Sequence, residues 1–462
     1  MRTSNRLLPE GILNDALAHQ QSGRLYDASA IYRQILEFEP ENFDALHLLG
    51  VVHYQLGAYS DAALLIGRAI RLNGNVAAAY SNLGQVHRAC NRPNAAVDCF
   101  RKAIAIDPNF LDAANALAAI LFLLGRYEES VHSYQRVLGL RPNWSEAHLG
   151  LGRALLADGK NDAAIERFRT AWSINPLLLD AAADFVRAIA GSVRGRPPNT
   201  FERLFTPSVR GPSISVAFCS IDPEKRDRTK LLYARLLHGF RHEIVCIEDA
   251  RSLAEAYNRA INRSRGDIII LSHDDIDILA PDFAARLVAY LETNDVVGVI
   301  GSTEMTGPSW NWSGHPKLRG WIVHQTDAAE TLNVGLVSME PSAAVAVLDG
   351  VFLAARRKVF ESVRFDAQTF DGFHLYDIDW SYRASIQGFK MVAVGDLMLV
   401  HQSRGQFAKD WQDYAIRFCE KHECSGPPSE LRHIIEAELA DRDEVRAFFR
   451  LVAPTRFDFE AE

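Results

Sequence analysis

One period governs the first part of the chain. Pro108, Pro142 and Pro176 recur every 34 residues, and Pro40 lies two periods before Pro108, with Gly74 in the place between. Gly23, Gly57, Gly125 and Gly159 repeat in the same register, where Asn91 stands in once. Ala28, Ala62, Ala96 and Ala164 form a third series, with Ser130 replacing one member, and Tyr32, Phe100, Tyr134 and Phe168 form a fourth in which Ile66 substitutes. Self-similarity at such a period marks an array of small units, none of which can bury its apolar face alone.

The spacing predicts helix pairs. Small residues at Gly50, Gly84 and Gly152 let the second helix approach the first, and the mid-unit Gly ends the first helix by accepting a left-handed backbone at little cost. Four parallel series in one register resemble the tetratricopeptide repeat, with five units from Pro9 to Leu178 and a capping helix at Leu179–Ala190. The resemblance implies an all-α solenoid over residues 1–190 that binds a protein or peptide partner. Self-association into a homo-oligomer is the other use of such an array. First-helix residues such as His47, Tyr54, Ser81, Gln85, Arg88 and Phe122 would line its groove. His19, His53 and His87 also recur at 34 residues and read as a packing position rather than a metal site.

Residues 191–213 break the register with Gly, Pro, Ser and Arg, including Arg194 and Arg196, and read as a linker. Beyond it, strands at Ile214–Cys219, Glu243–Ile247, Ile268–Leu271 and Val296–Gly301 alternate with helices at Lys230–Leu237, Leu253–Ser264 and Phe283–Leu291. That alternation predicts βαβ units and a mostly parallel, mixed sheet. Ile268-Ile269-Ile270-Leu271 reads as a strand buried on both faces, and it gives way abruptly to Ser272-His273-Asp274-Asp275. The carboxyl ends of strands line the ligand crevice in such sheets. An imidazole and two carboxylates there could hold a divalent cation, or merely cap the next helix. Ser220 and Glu248-Asp249 end the first two strands beside them, enough polar edge for a nucleotide. No Gly-x-Gly-x-x-Gly follows the first strand and no Gly-x-x-x-x-Gly-Lys occurs, which disfavours dinucleotide and P-loop chemistry.

Composition narrows the class. An apolar share of 48% and a charged share of 23% suit a globular protein, and a net charge of −8 weighs against a nucleic-acid partner. No apolar run approaches the roughly 18–20 residues of a membrane span, and the N-terminus lacks the apolar core of a signal peptide. Six cysteines without a Cys-x-x-Cys pair suit a reducing compartment and argue against structural zinc; Cys419 and Cys424 read as a free pair near a helix. The expected location is the cytoplasm or the periphery of a membrane's inner face.

Strand, helix, strand with Glu-Asp, a helix carrying Ala256-Tyr257-Asn258, then Arg265-Gly266-Asp267, an apolar strand and an acidic cluster resemble family 2 glycosyltransferases of the GT-A fold. That family uses a DxD-type motif at this strand end to hold a metal on the nucleotide-sugar diphosphate. His273-Asp274-Asp275 departs at its first residue, where His replaces Asp; a subgroup with His-Gln-Asp fits better. The resemblance implies Asp275 as a metal ligand, with Ser220, Glu248, Asp249, Asn258, His273 and Asp274 on the nucleotide-sugar side. Leu348–Ala354, containing Asp349 and Gly350, is similar to the family's acceptor-side segment. Tyr376-Asp377-Ile378-Asp379 resembles its Glu-Asp-x-Asp motif, with Tyr in place of Glu. By that resemblance Asp377 is the general base and Asp379 lies on the acceptor side. Taken alone, Asp377 reads as a helix N-terminal carboxylate stabilised by the macrodipole. His401-Gln402-Ser403-Arg404-Gly405, after another strand, is similar to the subgroup's C-terminal signature and implies His401 as the second metal ligand. Trp310, Trp312, His315, Gly320, Trp321 and His324 form an aromatic insertion that serves either as a sugar or acceptor platform or as core.

The expected fold is therefore α + α/β. A repeat solenoid (1–190) and a linker (191–213) precede a GT-A α/β domain (214–424), and a tail (425–462) carries a helical run at Ser429–Leu439. The expected activity is inverting transfer of a sugar from a nucleotide-sugar to an acceptor hydroxyl, with Mn2+ or Mg2+, the repeats holding a protein acceptor or partner. The alternatives are a polysaccharide or lipid-linked acceptor with the repeats as docking scaffold, and a non-catalytic scaffold. Retention of Asp275, Asp377 and His401 in one chain argues against the last.

Overall fold

The computed structural model describes residues 11–193, 211–280, 282–314, 316–325, 332–336, 338, 340, 342–402, 409–424 and 435–452. Pro9, Arg194, Arg196, His315, Ser403, Arg404, Gly405 and Ser429 lie outside the described residues. The chain divides into two units, Met1–Asn175 and Pro176–Glu462.

The first unit is a run of helix pairs: α1 (Ile12–Gln21) with α2 (Leu25–Phe38), α3 (Phe43–Gln55) with α4 (Tyr59–Leu72), α5 (Ala77–Ala89) with α6 (Pro93–Ile106), α7 (Leu111–Leu123) with α8 (Tyr127–Leu140), and α9 (Ser145–Ala157) with α10 (Asn161–Ile174). Each turn between paired helices uses a positive φ: Gly23 at 75°, Gly57 at 79°, Asn91 at 55°, Gly125 at 71° and Gly159 at 79°. The one exception to Gly is Asn, the side chain that best tolerates this region. The small and aromatic series are two sides of one contact. A Cβ on Gly50 would fall 2.5 Å from Ile66, one on Gly84 2.6 Å from Phe100, and one on Gly152 2.5 Å from Phe168. Ser130 fits the alanine register because its buried hydroxyl donates to the Ala118 carbonyl at 2.7 Å.

His19 and His53 sit 3.5 and 3.6 Å from Asp27 and Asp61, as packing positions do. Two groove expectations need correction. His47 and Ser81 are buried, and His47 Nε2 is engaged by the Asn82 amide at 2.9 Å, so neither lines an open surface. Tyr54, Gln85 and Phe122 are half-buried and Arg88 is exposed.

The second unit begins with α11 (Leu179–Val193) and continues through β1 (Ile214–Cys219), α12 (Pro223–Leu236), β2 (His242–Ile247), α13 (Leu253–Arg263), β3 (Ile268–Ser272), β4 (Ile276–Ile278) and α14 (Phe283–Thr293). Then come β5 (Val296–Gly298), β6 (Ile300–Ser302), a 3-10 turn at Trp310–Ser313, β7 (Leu318–Gln325), β8 (Leu332–Leu336), β9 (Ser342–Ala344) and β10 (Val347–Leu348). The last elements are β11 (Phe352–Arg356), α15 (Arg357–Ser362), α16 (Tyr376–Ile386), β12 (Met391–Val394), β13 (Leu399–His401), α17 (Lys409–His422), β14 (Ile435–Leu439) and α18 (Arg442–Val452).

The main sheet is mixed, in the order β2-β1-β3-β11-β5-β12-β9. β1 pairs parallel with β2 and β3, and β5 with β12, whereas β11 and β9 run antiparallel to their neighbours. Alternate residues of β3 explain its unbroken apolar run: Ile269 and Leu271 join the core under α13 and α16, while Ile268 and Ile270 join the core under α14. A second sheet, β10-β6-β7-β13-β4, has β8 and β14 branching from β7.

The tail differs from expectation. Residues 435–439 form β14, antiparallel to β8, because Ile-Glu-Ala-Glu-Leu alternates apolar and polar with period two and β8 offers an edge. The helix expected to cap the repeats, α11, packs on β14 and α18 within the second unit. Its buried Ala181, Phe185 and Ile189 form a stripe that these elements cover. Cys90, Cys99, Cys219, Cys246 and Cys424 are free thiols, and Cys424 Sγ lies 2.8 Å from Cys419 Sγ at the end of α17. No helix of the described residues is long and apolar enough to cross a membrane.

Candidate active site

Three chain segments meet at the carboxyl end of β3. The turn from β3 to β4 carries His273 and Asp275. Its first residue is tied to the start of β11 by His273 N–H donating to the Val351 carbonyl at 3.1 Å. Its last is tied to the end of β13 by Gln402 N–H donating to the Asp275 carbonyl at 2.9 Å. β13 lies between β4 and β7, which sets His401 opposite Ile276 on one side and His324 on the other. His273, Asp275 and His401 thereby present ligand atoms that all lie within 4.8 Å of one another. His401 Nε2 is 3.3 Å and His273 Nδ1 3.8 Å from the same Asp275 Oδ1.

The third segment is the start of α16. Leu375, a buried non-glycine residue, adopts φ 61° just before Tyr376 and Asp377. Strained backbone of this kind persists only where surroundings enforce it. The Tyr376 hydroxyl lies 3.1 Å from His273 Nε2, which joins α16 to the β3 edge. Burial raises the Tyr376 phenol well above its ordinary value, so it stays neutral. Gly350 N–H donates to Asp377 Oδ2 at 2.6 Å. A Cβ there would stand 2.5 Å from Asp377 Cβ and 2.7 Å from the Tyr376 hydroxyl, so only Gly fits.

Desolvation, with added repulsion from Asp349, raises Asp377 to about 7 even though backbone N–H groups favour its charged form. Asp349 is fixed by the Trp310 indole N–H at 2.8 Å and by Val351 N–H at 2.9 Å. Desolvation, then the neighbouring His401, lower His273 below its usual value, which favours the neutral imidazole a metal needs. Two imidazoles and a carboxylate make a chemically sound donor set for a divalent ion.

The structure brings Asp275, His401, His273, Asp349, Gly350, Trp310 and Asp377 together. It does not bring in all the others. Asp379 is fully buried on the far side of α16, and hydrogen bonds from His422, Arg383 and Lys421 hold its carboxyl low against the effect of burial. Asn258 spends both ends of its amide on Phe365, at 2.8 and 3.1 Å, pinning the segment that leads to α16. Glu248 and Asp249 end β2 as exposed partners of Arg226 at 2.7 Å and Arg259 at 3.0 Å. Ser220 is buried, its hydroxyl donating to the Asp222 carbonyl at 3.0 Å. The Asp274 carbonyl accepts from Thr229 at 3.0 Å, and Trp312 lies edge-on to Trp411 at 6.0 Å.

Sequence reasoning missed the contacts that three residues make at the site. Tyr376 reads as a motif departure yet contacts His273 directly. His324 reaches His401, at 5.6 Å between ring centroids, only through a strand pairing that no local pattern announces. Arg228 on α12 donates to Gln402 at 2.7 Å and reaches the Asp274 carbonyl at 3.5 Å, bracketing the Asp275 turn.

Comparison with known proteins agrees with both units. Residues 13–77, 77–110 and 115–177 match tetratricopeptide-repeat models, and residues 216–422 match a glycosyltransferase-like family. Among solved structures the chain is similar to MamA, at 24% identity over 35% of this chain and 94% of that one, with a TM-score of 0.34. It is also similar to YrrB, a TPR protein with an unusual peptide-binding site, at 21% identity over 37% and 88%, with a TM-score of 0.34. No curated protein matches the chain. The chain is a tetratricopeptide-repeat array followed by a glycosyltransferase-like domain.

Proposed function

We propose that the second unit is a metal-dependent, inverting glycosyltransferase and that the repeats hold its protein acceptor or partner. One observation carries the reading: a carboxylate raised to about 7, Asp377, shares a hydrogen-bonded edge with the His273–Asp275–His401 cluster. A base of that strength takes a proton at neutral pH more readily than an ordinary aspartate. In the reaction, the acceptor oxygen forms a bond to the anomeric carbon as the bond to the nucleoside diphosphate breaks, and the hydroxyl proton passes to Asp377. A single displacement inverts the anomeric centre. Asp275 and His401 would hold Mn2+ or Mg2+, which when bound offsets the charge gathering on the departing diphosphate. Gly350 N–H orients the Asp377 carboxylate, and Trp310, fixed on Asp349, offers a flat ring beside it for a sugar or acceptor face. The free thiols of Cys90, Cys99, Cys219 and Cys246 are in keeping with work in a reducing cytoplasm.

A screen of nucleotide-sugars scored by release of nucleoside diphosphate, with Mn2+ and with Mg2+, identifies the donor. With that donor, Asp377→Asn is expected to bind as the parent does by calorimetry and to lose at least about 100-fold in transfer. Transfer at the parental rate in this variant sinks the assignment.

A further inference from the structure

The two nitrogens of His273 face different partners. Nε2 lies 3.1 Å from the Tyr376 hydroxyl, and Nδ1 lies 3.8 Å from Asp275 Oδ1. The second distance is too long for a hydrogen bond, so no direct bond to Asp275 accounts for the ring's orientation. His401 Nε2 approaches the same oxygen from the other side at 3.3 Å. Tyr376 is well placed to fix the ring: its own ring is buried, 5.7 Å from Tyr257 and 6.0 Å from Phe365 between centroids, so the hydroxyl is held in place. When Nε2–H donates to that hydroxyl, Nδ1 carries the lone pair and points it at the space shared by Asp275 and His401.

We infer that Tyr376 makes His273 a third metal ligand, so that this chain holds its ion on two imidazoles and one carboxylate. Tyr376 is a positioning residue in this arrangement, since it acts through His273. The inference rests on the transferase reading only for the presence of an ion. Its consequence is selectivity. Imidazole nitrogen suits first-row transition ions, whereas Mg2+ binds oxygen and gives up water reluctantly. The site should therefore take Mn2+ or Co2+ well ahead of Mg2+. An outer hydrogen bond to a ligating His is commonly worth about 10–100-fold in metal affinity.

The test uses the full chain, stripped with chelator and titrated with Mn2+, Co2+ and Mg2+ by calorimetry, with pulsed electron paramagnetic resonance of bound Mn2+ to count coordinated imidazole nitrogens. The parent is expected to bind Mn2+ at least about 10-fold more tightly than Mg2+ and to show two imidazoles. His273→Gln should show one. Tyr376→Phe should weaken Mn2+ binding about 10–100-fold while leaving the melting temperature of the metal-free protein near the parent's. A single imidazole in the parent that survives in His273→Gln overturns the inference and leaves Asp275 and His401 standing. Parental Mn2+ affinity in Tyr376→Phe overturns the positioning role, and a lower melting temperature at unchanged affinity marks that tyrosine as structural only. Failure of Mn2+ to bind, or binding that survives Asp275→Ala, instead removes the metal-dependent reading itself.

Discussion

Asp377 is expensive to keep. Its carboxyl ordinarily ionises at 3.8 and is raised to about 7 by desolvation and by Asp349. A folded-state value above the unfolded one means the folded protein binds the proton more tightly. The contribution to stability is then fully present below pH 4 and is lost as pH rises through 7. Asp377→Asn removes the titration while keeping an oxygen for Gly350 N–H. In the metal-free protein, the variant should gain on the parent between pH 5 and pH 8, by on the order of 1–3 kcal/mol, in urea denaturation. A stability difference that is the same at both pH values contradicts the assignment. Asp379, two residues on, is the contrast: its partners lower it, and Asp379→Asn should destabilise the fold at pH 7 by about 1–3 kcal/mol by leaving His422, Arg383 and Lys421 without their shared carboxylate. The sequence order of the motif marks both aspartates alike. Only the helix face separates them, and Asp379 turns inward to α17 because Lys421 and His422 sit there. Asp275 and His401 stood out as candidates because one follows a recognisable strand and the other ends one. The Tyr376–His273 contact was not, since it joins residues 103 apart through packing alone.

At the level of elements, the repeats were readable and the sheet only partly so, for the same physical reason. A helix pair closes on itself within 34 residues, so its turn glycine and its close contact both leave a periodic trace. β11 enters the main sheet antiparallel between β3 and β5, and β14 pairs with β8 across about a hundred residues; nothing local encodes either pairing. The periodic contact can be tested directly. Gly84→Leu places a side chain where Phe100 already stands, 2.6 Å from the would-be Cβ, and should destabilise the first unit by about 1–3 kcal/mol in thermal unfolding. Asn91→Gly, at a φ of 55°, should be neutral or stabilising by up to about 1 kcal/mol, whereas Asn91→Val should cost more than that. If Asn91→Val is as stable as the parent, the left-handed turn is not what ends α5.

For the whole molecule, each core cluster of the described residues bears on what a lesion in its own unit can do. The clusters built on Tyr32, Ile66 and Phe100 draw only on the first unit, and the clusters on either face of β3 draw only on the second. α11 belongs to the second despite following the repeats, because β14 and α18 cover it. Damage to the array should therefore leave the candidate site intact. Under the proposed division of labour, the site alone binds and slowly hydrolyses the donor, since water can replace the acceptor. Under the same proposal the array would raise the local concentration of an acceptor that carries a peptide determinant. In Gly84→Leu, nucleoside diphosphate release without acceptor should match the parent within about twofold, while transfer to a protein acceptor should fall at least about 10-fold, as a rise in KM rather than a loss of kcat. Matched losses of both reactions would mean that the repeats are needed to fold or shape the site. Unchanged transfer would assign the repeats to docking the chain in an assembly, with acceptor choice left to the surface around Trp310 and Asp349.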